Sequence, residues 1–308
     1  MSEPVAPAIS VVIPTADRAD LVMRAVSSVL KGAGDDVEVV VVDDASTDDT
    51  VAQLKGLADA RLEIVELPER SGANVARNTG AAASHAPLIA FLDSDDAFAA
   101  GRCARLVELF RARPEVDAVL DDFTVWTGGK SESARQPKGI WAGDRLTALL
   151  VAHALPLTNS ALAIRRSAFE AVGGFDVAFR RQQDRDLLLR LAGDHQVALG
   201  TGQDVAKHQI VRSMSRSNDG YIAALDLLVG RHPAFLAPDV RDLLGYLIAR
   251  GIVKSLAQRD IAAARREWRV LKHAGNLPMG GVAALMRYGA GRRHRRTVRR
   301  DVMAGEGG

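Results

Sequence analysis

Three carboxylates within four residues, Asp93-Ser94-Asp95-Asp96, follow directly on the apolar run at residues 88–92. Crowded together at the end of a strand, such groups repel one another unless a cation lies among them. A hard divalent ion, Mg²⁺ or Mn²⁺, suits the need, because it takes a carboxylate or two together with the phosphate oxygens of a substrate. An acid-rich turn that caps the next helix is the plainer use of the same residues. Other polar loops recur at equivalent places. Pro14-Thr15-Ala16-Asp17-Arg18 follows the run 9–13, Asp43-Asp44-Ala45-Ser46-Thr47-Asp48-Asp49 follows 37–42, and Arg70-Ser71-Gly72-Ala73-Asn74 leads to Arg77-Asn78-Thr79. A dinucleotide site would need Gly-x-Gly-x-x-Gly straight after the first strand, where Pro14 and Thr15 stand instead. Gly32 and Gly34 come after the first helix, and no Gly-x-x-x-x-Gly-Lys-Ser/Thr loop occurs. Any bound phosphate must be neutralised in another way.

The elements that hold these loops are legible from period and composition. Residues 9–13, 37–42, 62–65 and 88–92 are short, apolar and rich in β-branched side chains, so each is expected to be a buried strand. Between them, residues 19–30, 48–57 and 73–83 have helical period, with Asp17, Thr47 and Ser71 as candidate N-caps. Strand and helix in alternation predict a mostly parallel sheet with right-handed crossovers. Near-continuous hydrophobicity in the strands agrees, since a parallel sheet is covered on both faces. In such a sheet ligands bind beyond the carboxyl ends of the strands, where the polar loops lie. After Asp96 the spacing predicts a helix over 102–111, a strand over 116–120, a mobile polar loop over 127–139, a strand over 161–165, a turn at Gly173-Gly174 and a helix over 183–191. From residue 218 onward the pattern is helical, with apolar spacing at 221–228, 240–253 and 261–271. The expected organisation is therefore a domain of residues 1–217 and a helical C-terminal region of residues 218–308.

Composition adds limits. The 308 residues are 47% hydrophobic and 25% charged, which excludes a disordered or collagen-like chain. Net charge is only +2, but seven arginines fall between Arg287 and Arg300. The preceding 286 residues carry 33 cations against 36 acids, a net −3, so the basicity belongs to the tail. One cysteine, Cys103, excludes a disulfide framework and a cysteine-based zinc cluster, and is expected to be a buried small residue. No run of about 18 uncharged apolar residues predicts a bilayer span. No positive, apolar leader precedes the first strand either, so a cytoplasmic chain is expected.

The order and spacing of several segments resemble the family 2 glycosyltransferases, whose nucleotide-sugar domain has the GT-A fold. The segments are Ile9-Ser10-Val11-Val12-Ile13-Pro14-Thr15, Val41-Val42-Asp43-Asp44-Ala45-Ser46-Thr47-Asp48-Asp49-Thr50, Gly72-Ala73-Asn74-Val75-Ala76-Arg77-Asn78, Phe91-Leu92-Asp93-Ser94-Asp95-Asp96, and Gly173-Gly174-Phe175-Asp176 leading to Gln183-Asp184-Arg185-Asp186-Leu187-Leu188-Leu189-Arg190. Together they span about residues 8–215. The resemblance implies an α/β fold of GT-A (Rossmann-like) type, with a mixed, mostly parallel sheet flanked by helices and a helical C-terminal extension.

It also implies a set of roles. Pro14, Thr15, Asp17 and Arg18 would lie near the nucleoside, Asp44 would accept a hydrogen bond from the base, and Arg77 would approach the base or the diphosphate. Gly72 would let the backbone pass close to the nucleotide. Asp93, Ser94 and Asp95 resemble the acidic metal-and-ribose motif, with Asp95 the direct metal ligand and Asp96 a neighbour. Asp184 resembles the catalytic base, although Gln183 stands where the family usually has glutamate. A carboxylate suits that role, because a sugar hydroxyl loses its proton only as its bond to the anomeric carbon forms. Lys207-His208 and Arg212 fall where similar enzymes close a loop over the diphosphate, with His208 a metal or phosphate ligand and Arg212 a phosphate clamp.

The implied activity is an inverting, Mg²⁺- or Mn²⁺-dependent transfer of sugar from a nucleoside-diphosphate sugar, with uridine diphosphate as carrier. The acceptor would be a carbohydrate, a lipid-linked or a small molecule, in polysaccharide, glycolipid or other glycoconjugate synthesis. A sugar nucleotidyltransferase and a non-catalytic nucleotide-sugar-binding protein are the alternatives. The arginine cluster has no aromatic interleaving, which argues against nucleic acid. Contact with the anionic inner face of a membrane and a merely solvated end are its two readings. Acceptor, linkage and homodimer formation are not legible in the sequence.

Overall fold

The computed structural model describes residues 6–208, 218–237, 248, 251–273 and 300. Arg212 and the arginine cluster other than Arg300 lie outside the described residues. The described chain groups into two units. One holds residues up to 142, 156–178 and 190–208; the other holds 143–155, 179–189 and the residues from 218 onward.

The first unit is built on the expected alternation. Strands β1 (Ile9–Thr15), β2 (Val37–Asp43), β3 (Leu62–Glu66) and β4 (Leu88–Phe91) are separated by helices α1 (Ala19–Leu30), α2 (Thr50–Lys55) and α3 (Ala73–Ala83). β1 pairs in parallel with β2 and with β4, and β2 with β3. Val11, Val12, Ile13, Val39, Val40, Val41, Val42 and Phe91 are fully buried, as a doubly covered parallel sheet requires. Close packing against a helix leaves no room for a side chain at Gly80 of α3. A Cβ there would stand 2.5 Å from Val12 Cγ1 and 2.9 Å from Val42 Cγ2.

The sheet then turns mixed. After β5 (Ala97–Phe98) and helix α4 (Arg102–Ala112) come β6 (Ala118–Leu120), β7 (Phe123–Thr127), β8 (Lys130–Ala134) and β9 (Gly139–Trp141). In the second unit lies α5 (Gly143–Val151), and the first unit resumes with β10 (Leu162–Arg165) and α6 (Arg166–Ala171). α7 (Gln183–Asp194) leads to β11 (Val197–Leu199) and β12 (Val205–His208). The main sheet has the order β3-β2-β1-β4-β10-β6-β11-β9, with β10 antiparallel to β4 and to β6. A smaller sheet, β5-β12-β7-β8, holds the segment that follows the acidic loop beside the end of β12.

Residues 127–139, expected as a loop, are for the most part the β7–β8 hairpin and β9. Gly128 and Gly129 form its two-residue turn with φ of +55° and +81°, the left-handed pair that a right-twisted hairpin favours. Lys130-Ser131-Glu132-Ser133 carries no apolar alternation because those side chains face water. The candidate caps also differ. The residues preceding α1, α2 and α3 are Arg18, Asp49 and Gly72, and none of the three donates or accepts a side-chain cap bond.

A buried ion cluster fixes β12 to the rest of the first unit. Arg102 of α4 pairs with Asp121 (2.7 Å) and with Asp204, while Arg105 reaches Asp204 at 2.6 Å and Asp121 at 2.5 Å. Arg102 and Asp121 are fully enclosed, a setting in which removing either partner would strand a charge. Cys103 beside them is buried, and burial pushes its thiol up to about 11.

In the second unit, α8 (Asn218–Arg231), a single 3₁₀ turn (Pro233–Leu236) and a C-terminal helix (Ile261–His273) accompany α5 and the first turns of α7. Among the described residues no helix is long and apolar enough to cross a membrane.

Candidate active site

The carboxyl ends of β1, β2 and β4 are neighbours in the sheet, so their loops meet by construction. The first two are laced together. Asp44 N donates to Thr15 O at 2.8 Å, and Asp17 N donates to Ser46 Oγ at 2.8 Å. Asp17 Oδ1 accepts from Thr47 N at 2.7 Å, and its other oxygen pairs with Arg70. The Thr47 amide first, and then Arg70, hold the Asp17 carboxyl down at about 2. Asp17 itself has φ +50°, a conformation that few residues other than Gly, Asn and Asp adopt readily.

Asp44 binds the third loop. Its Oδ1 accepts from Ser71 N at 2.6 Å and its Oδ2 from Gly72 N at 2.9 Å. Gly72 has φ +95° with nothing within 4 Å of where a Cβ would stand, so backbone conformation and open space, not crowding, characterise the position. The carboxylate predicted to read a base also clamps the loop that opens α3. Thr15 is buried, and its hydroxyl has no protein partner.

Helix α3 turns a polar face toward the first unit's interior. Arg77 is 4% exposed, donates to Asn74 Oδ1 at 3.0 Å and to Asp93 Oδ1 at 2.6 Å, and lies 5.5 Å from the centre of the Phe175 ring. Asn78 accepts from Phe175 N (2.9 Å) and donates to Phe175 O (2.8 Å), and Asn74 donates to Asp176 O at 3.0 Å. Arg77 therefore meets the acidic loop directly, and the turn after α6 is stapled to the same helix.

In the acidic loop, carboxylate oxygens of Asp93, Asp95 and Asp96 all lie within 4.8 Å of one another. Asp96 is fully buried. It accepts from Ser160 Oγ at 2.5 Å and from His208 N at 3.0 Å, and Lys207 Nζ stands 3.4 Å away. Lys207 also reaches Thr158 Oγ1 at 3.1 Å and lies 3.9 Å from Asp93. Burial opposes charge on Asp93, yet Arg77 and Lys207 outweigh it and hold its carboxyl below the ordinary value. For Asp96 burial prevails and raises the carboxyl. Asp95 is the least engaged of the three. Its side chain has Arg18 at 3.5 Å, while Arg24 takes its backbone oxygen. Ser94 is buried between them.

The donor set fits a hard divalent cation. Three carboxylate oxygens converge. His208 joins the loop through its backbone, N to Asp96 Oδ1, while its ring stands outside that 4.8 Å group with a buried Nδ1 that has no hydrogen-bond partner. Burial, with Arg24 second, lowers the imidazole pKa and keeps the ring neutral, the form in which it ligates. The surrounding Arg18, Arg77 and Lys207 supply the fixed positive charge that a diphosphate also requires. Of the predicted residues, the structure brings Pro14, Thr15, Asp17, Arg18, Asp44, Gly72, Arg77, Asp93, Ser94, Asp95 and His208 to this one edge of the first unit. Ser160, Arg24 and the bond from Lys207 to Asp96 have no sequence signal, because each depends on a chain crossing of 60 residues or more.

Asp184 belongs to the second unit. It sits in the first turn of α7, where the helix dipole favours negative charge, and its Oδ1 accepts from Arg185 N at 2.8 Å. That turn is anchored on both sides. Buried Arg185 bonds to Leu150 O and, at 2.7 Å, to Gln182 Oε1, and buried Asp186 meets His232 Nε2 at 2.8 Å. Gln182 has φ +61°. Gln183 Oε1 is buried without a hydrogen-bond partner.

Residues 10–173 match the family described as Glycosyl transferase family 2. Among curated relatives, the succinoglycan biosynthesis protein ExoO of Rhizobium meliloti (strain 1021) is 39% identical over 139 residues, 43% of this chain and 40% of that one. The putative teichuronic acid biosynthesis glycosyltransferase TuaG of Bacillus subtilis (strain 168) is 36% identical over 109 residues, 35% of this chain and 43% of that one. The chain thus spans less than half the length of either relative. Among solved structures, S. aureus TarS 1-349 in complex with UDP-GlcNAc superposes with a TM-score of 0.67 at 16% identity, covering 97% of this chain and 91% of that one. The shared fold is the mixed α/β GT-A architecture expected above.

Proposed function

Since this chain belongs to glycosyl transferase family 2, we propose that it is an inverting glycosyltransferase that takes a sugar from a nucleoside-diphosphate donor, with uridine diphosphate as the carrier, and passes it to an acceptor hydroxyl. The observation that carries the reading is the meeting of Asp93, Asp95 and Asp96 within 4.8 Å, ringed by Arg18, Arg77 and Lys207, at the carboxyl end of β4. Anions and cations interleaved in this way suit a ligand that is itself a metal-bridged diphosphate.

Asp95 and Asp93 are the residues that would hold Mg²⁺ or Mn²⁺, with His208 the further candidate from the sequence, and the ion when bound supplies charge neutralisation for the departing diphosphate. Thr15, Asp17 and Gly72 border the space for the nucleoside, and Asp44 keeps Gly72 in place. Arg77 acts through Asp93, holding that carboxylate ionised and oriented. Asp184 takes the proton from the acceptor hydroxyl as the hydroxyl attacks the anomeric carbon from the face opposite the leaving diphosphate. One displacement at that carbon inverts its configuration. Arg212 remains the candidate phosphate clamp from the sequence. The acceptor belongs to polysaccharide or glycoconjugate synthesis, the processes named for ExoO and TuaG.

A panel of nucleotide sugars, each with and without Mg²⁺ or Mn²⁺, tests this by thermal stabilisation, since a ligand that binds only the folded state raises its melting temperature. One uridine diphosphate sugar is expected to stabilise the protein in a metal-dependent way and to release nucleoside diphosphate on transfer. Release of inorganic pyrophosphate would make the chain a nucleotidyltransferase. Binding without any transfer or hydrolysis would make it a binding protein.

A further inference from the structure

In the second unit, the C-terminal helix Ile261–His273 and the helical residues 251–257 before it expose large apolar side chains together. Trp268 is 53% exposed, Ile261 51% and Leu256 50%. These three, with Ala264, Arg265 and Arg269, line an open depression of about 470 Å³ whose exposed lining is almost wholly apolar. Three large apolar side chains gathered at one place differ from singly scattered ones, which need no explanation.

The charge of these two segments is mostly positive. Residues 251–273 contain Lys254, Arg259, Arg265, Arg266, Arg269 and Lys272, and only two acids. Both acids are turned inward or used as caps. Glu267 is buried and accepts from Ser255 Oγ at 3.0 Å, and Asp260 Oδ1 accepts from Ala263 N at 2.8 Å at the start of the helix. Ala263, Ala264 and Glu267 form the helix's buried side, which leaves Ile261, Arg265, Trp268 and Arg269 on its outer side at helical spacing.

We propose that this face docks on an anionic lipid bilayer, with Trp268, Ile261 and Leu256 entering the headgroup–acyl boundary and Arg265 and Arg269 meeting lipid phosphates. An amphipathic surface with tryptophan and aliphatic residues on its apolar side, flanked by arginine, has the chemistry of an interfacial helix. A second copy of this chain meeting it through the same face would bring the same positive charge to the contact and be repelled. A nucleic acid would satisfy the arginines and leave the apolar depression unused. The seven arginines at 287–300 carry further charge of the sign an anionic surface attracts.

Vesicle sedimentation of the full chain tests this without donor or acceptor, so the result is independent of the transferase reading. The protein is expected to pellet with phosphatidylglycerol–phosphatidylcholine vesicles and not with phosphatidylcholine alone. Replacing Arg265 and Arg269 by Gln should weaken the partition about tenfold or more, at roughly fivefold for each cation near the surface. Leu256→Ser with Ile261→Ser and Trp268→Ser should abolish it while leaving thermal unfolding unchanged. Should that triple variant unfold, Trp268→Phe replaces it, and must lose the vesicle-induced blue shift of tryptophan emission shown by the parent. Partition equal to the parent's, or a parent emission that does not shift, overturns the proposal. So does a patch variant whose only change is in oligomeric mass or in RNA binding, since the face would then serve another partner.

Discussion

Arg77 is the side chain on which the acidic edge most depends. It is almost wholly enclosed, and it joins Asn74 of its own helix to Asp93 across 16 residues of sequence. Removing one partner of an enclosed pair leaves the other charged and unpaired. Arg77→Ala is therefore expected to cost about 2–4 kcal/mol in urea unfolding, and Arg77→Lys to recover only part of it, because an ammonium cannot reach both acceptors in the plane of a guanidinium. A loss below about 0.5 kcal/mol would mean that Asp93 finds its charge balance elsewhere. Asp17 offers a pH test. Its carboxyl is lowered from 3.8 to about 2 by the Thr47 amide and Arg70, so the folded state binds its proton less readily than the unfolded state does. The resulting stabilisation is complete above about pH 4 and is lost as the pH falls through about 2. The Asp17 carboxyl carbon should titrate near 2 by NMR, and a midpoint at or above 3.8 would show that the two loops are not laced as described.

Elements explain which parts of the site were legible beforehand. β1, β2 and β4 are nearly continuous apolar runs because both faces of the parallel sheet are covered, and the polar residues that follow each run had to lie together at one edge. That is why Thr15, Asp17, Asp44 and Asp93 to Asp95 were identifiable from pattern and resemblance. β8 was not, since a strand with its side chains in water has no apolar alternation, although Gly128-Gly129 was a usable hairpin signal. The partners of Asp96 were equally silent. Ser160 comes from a 3₁₀ turn of the first unit (Asn159–Ala161) and Lys207 from β12, both far along the chain, and only the folded sheet order brings them to it. The staple between α3 and the turn after α6 makes its own prediction. Gly174 has φ +69°, and an added Cβ would lie 2.8 Å from Asn78 Oδ1, which already accepts the Phe175 amide. Gly174→Ala should thus lower stability by about 2–4 kcal/mol, the sum of a left-handed alanine and a broken buried hydrogen bond, measured by chemical denaturation. A change within about 0.5 kcal/mol would indicate that the turn relaxes freely.

For the whole molecule, the proposed reaction divides between the two units. The first presents carboxylates and cations suited to a diphosphate with a divalent ion, and the second carries Asp184 on a helix turn braced by Arg185 and by the Asp186–His232 pair. Binding and proton transfer should consequently be separable by mutation. The most direct measurement is calorimetric titration of the stabilising nucleotide sugar against Asp184→Asn and Asp95→Asn, with the rate of sugar transfer measured on the same preparations. Asp184→Asn is predicted to bind donor as the parent does while its transfer rate falls about 10²–10⁴-fold, the span a positioned general base supplies; Asp95→Asn is predicted to lose metal-dependent donor binding. Transfer by Asp184→Asn at close to the parent rate, or undiminished metal-dependent binding by Asp95→Asn, would contradict the account.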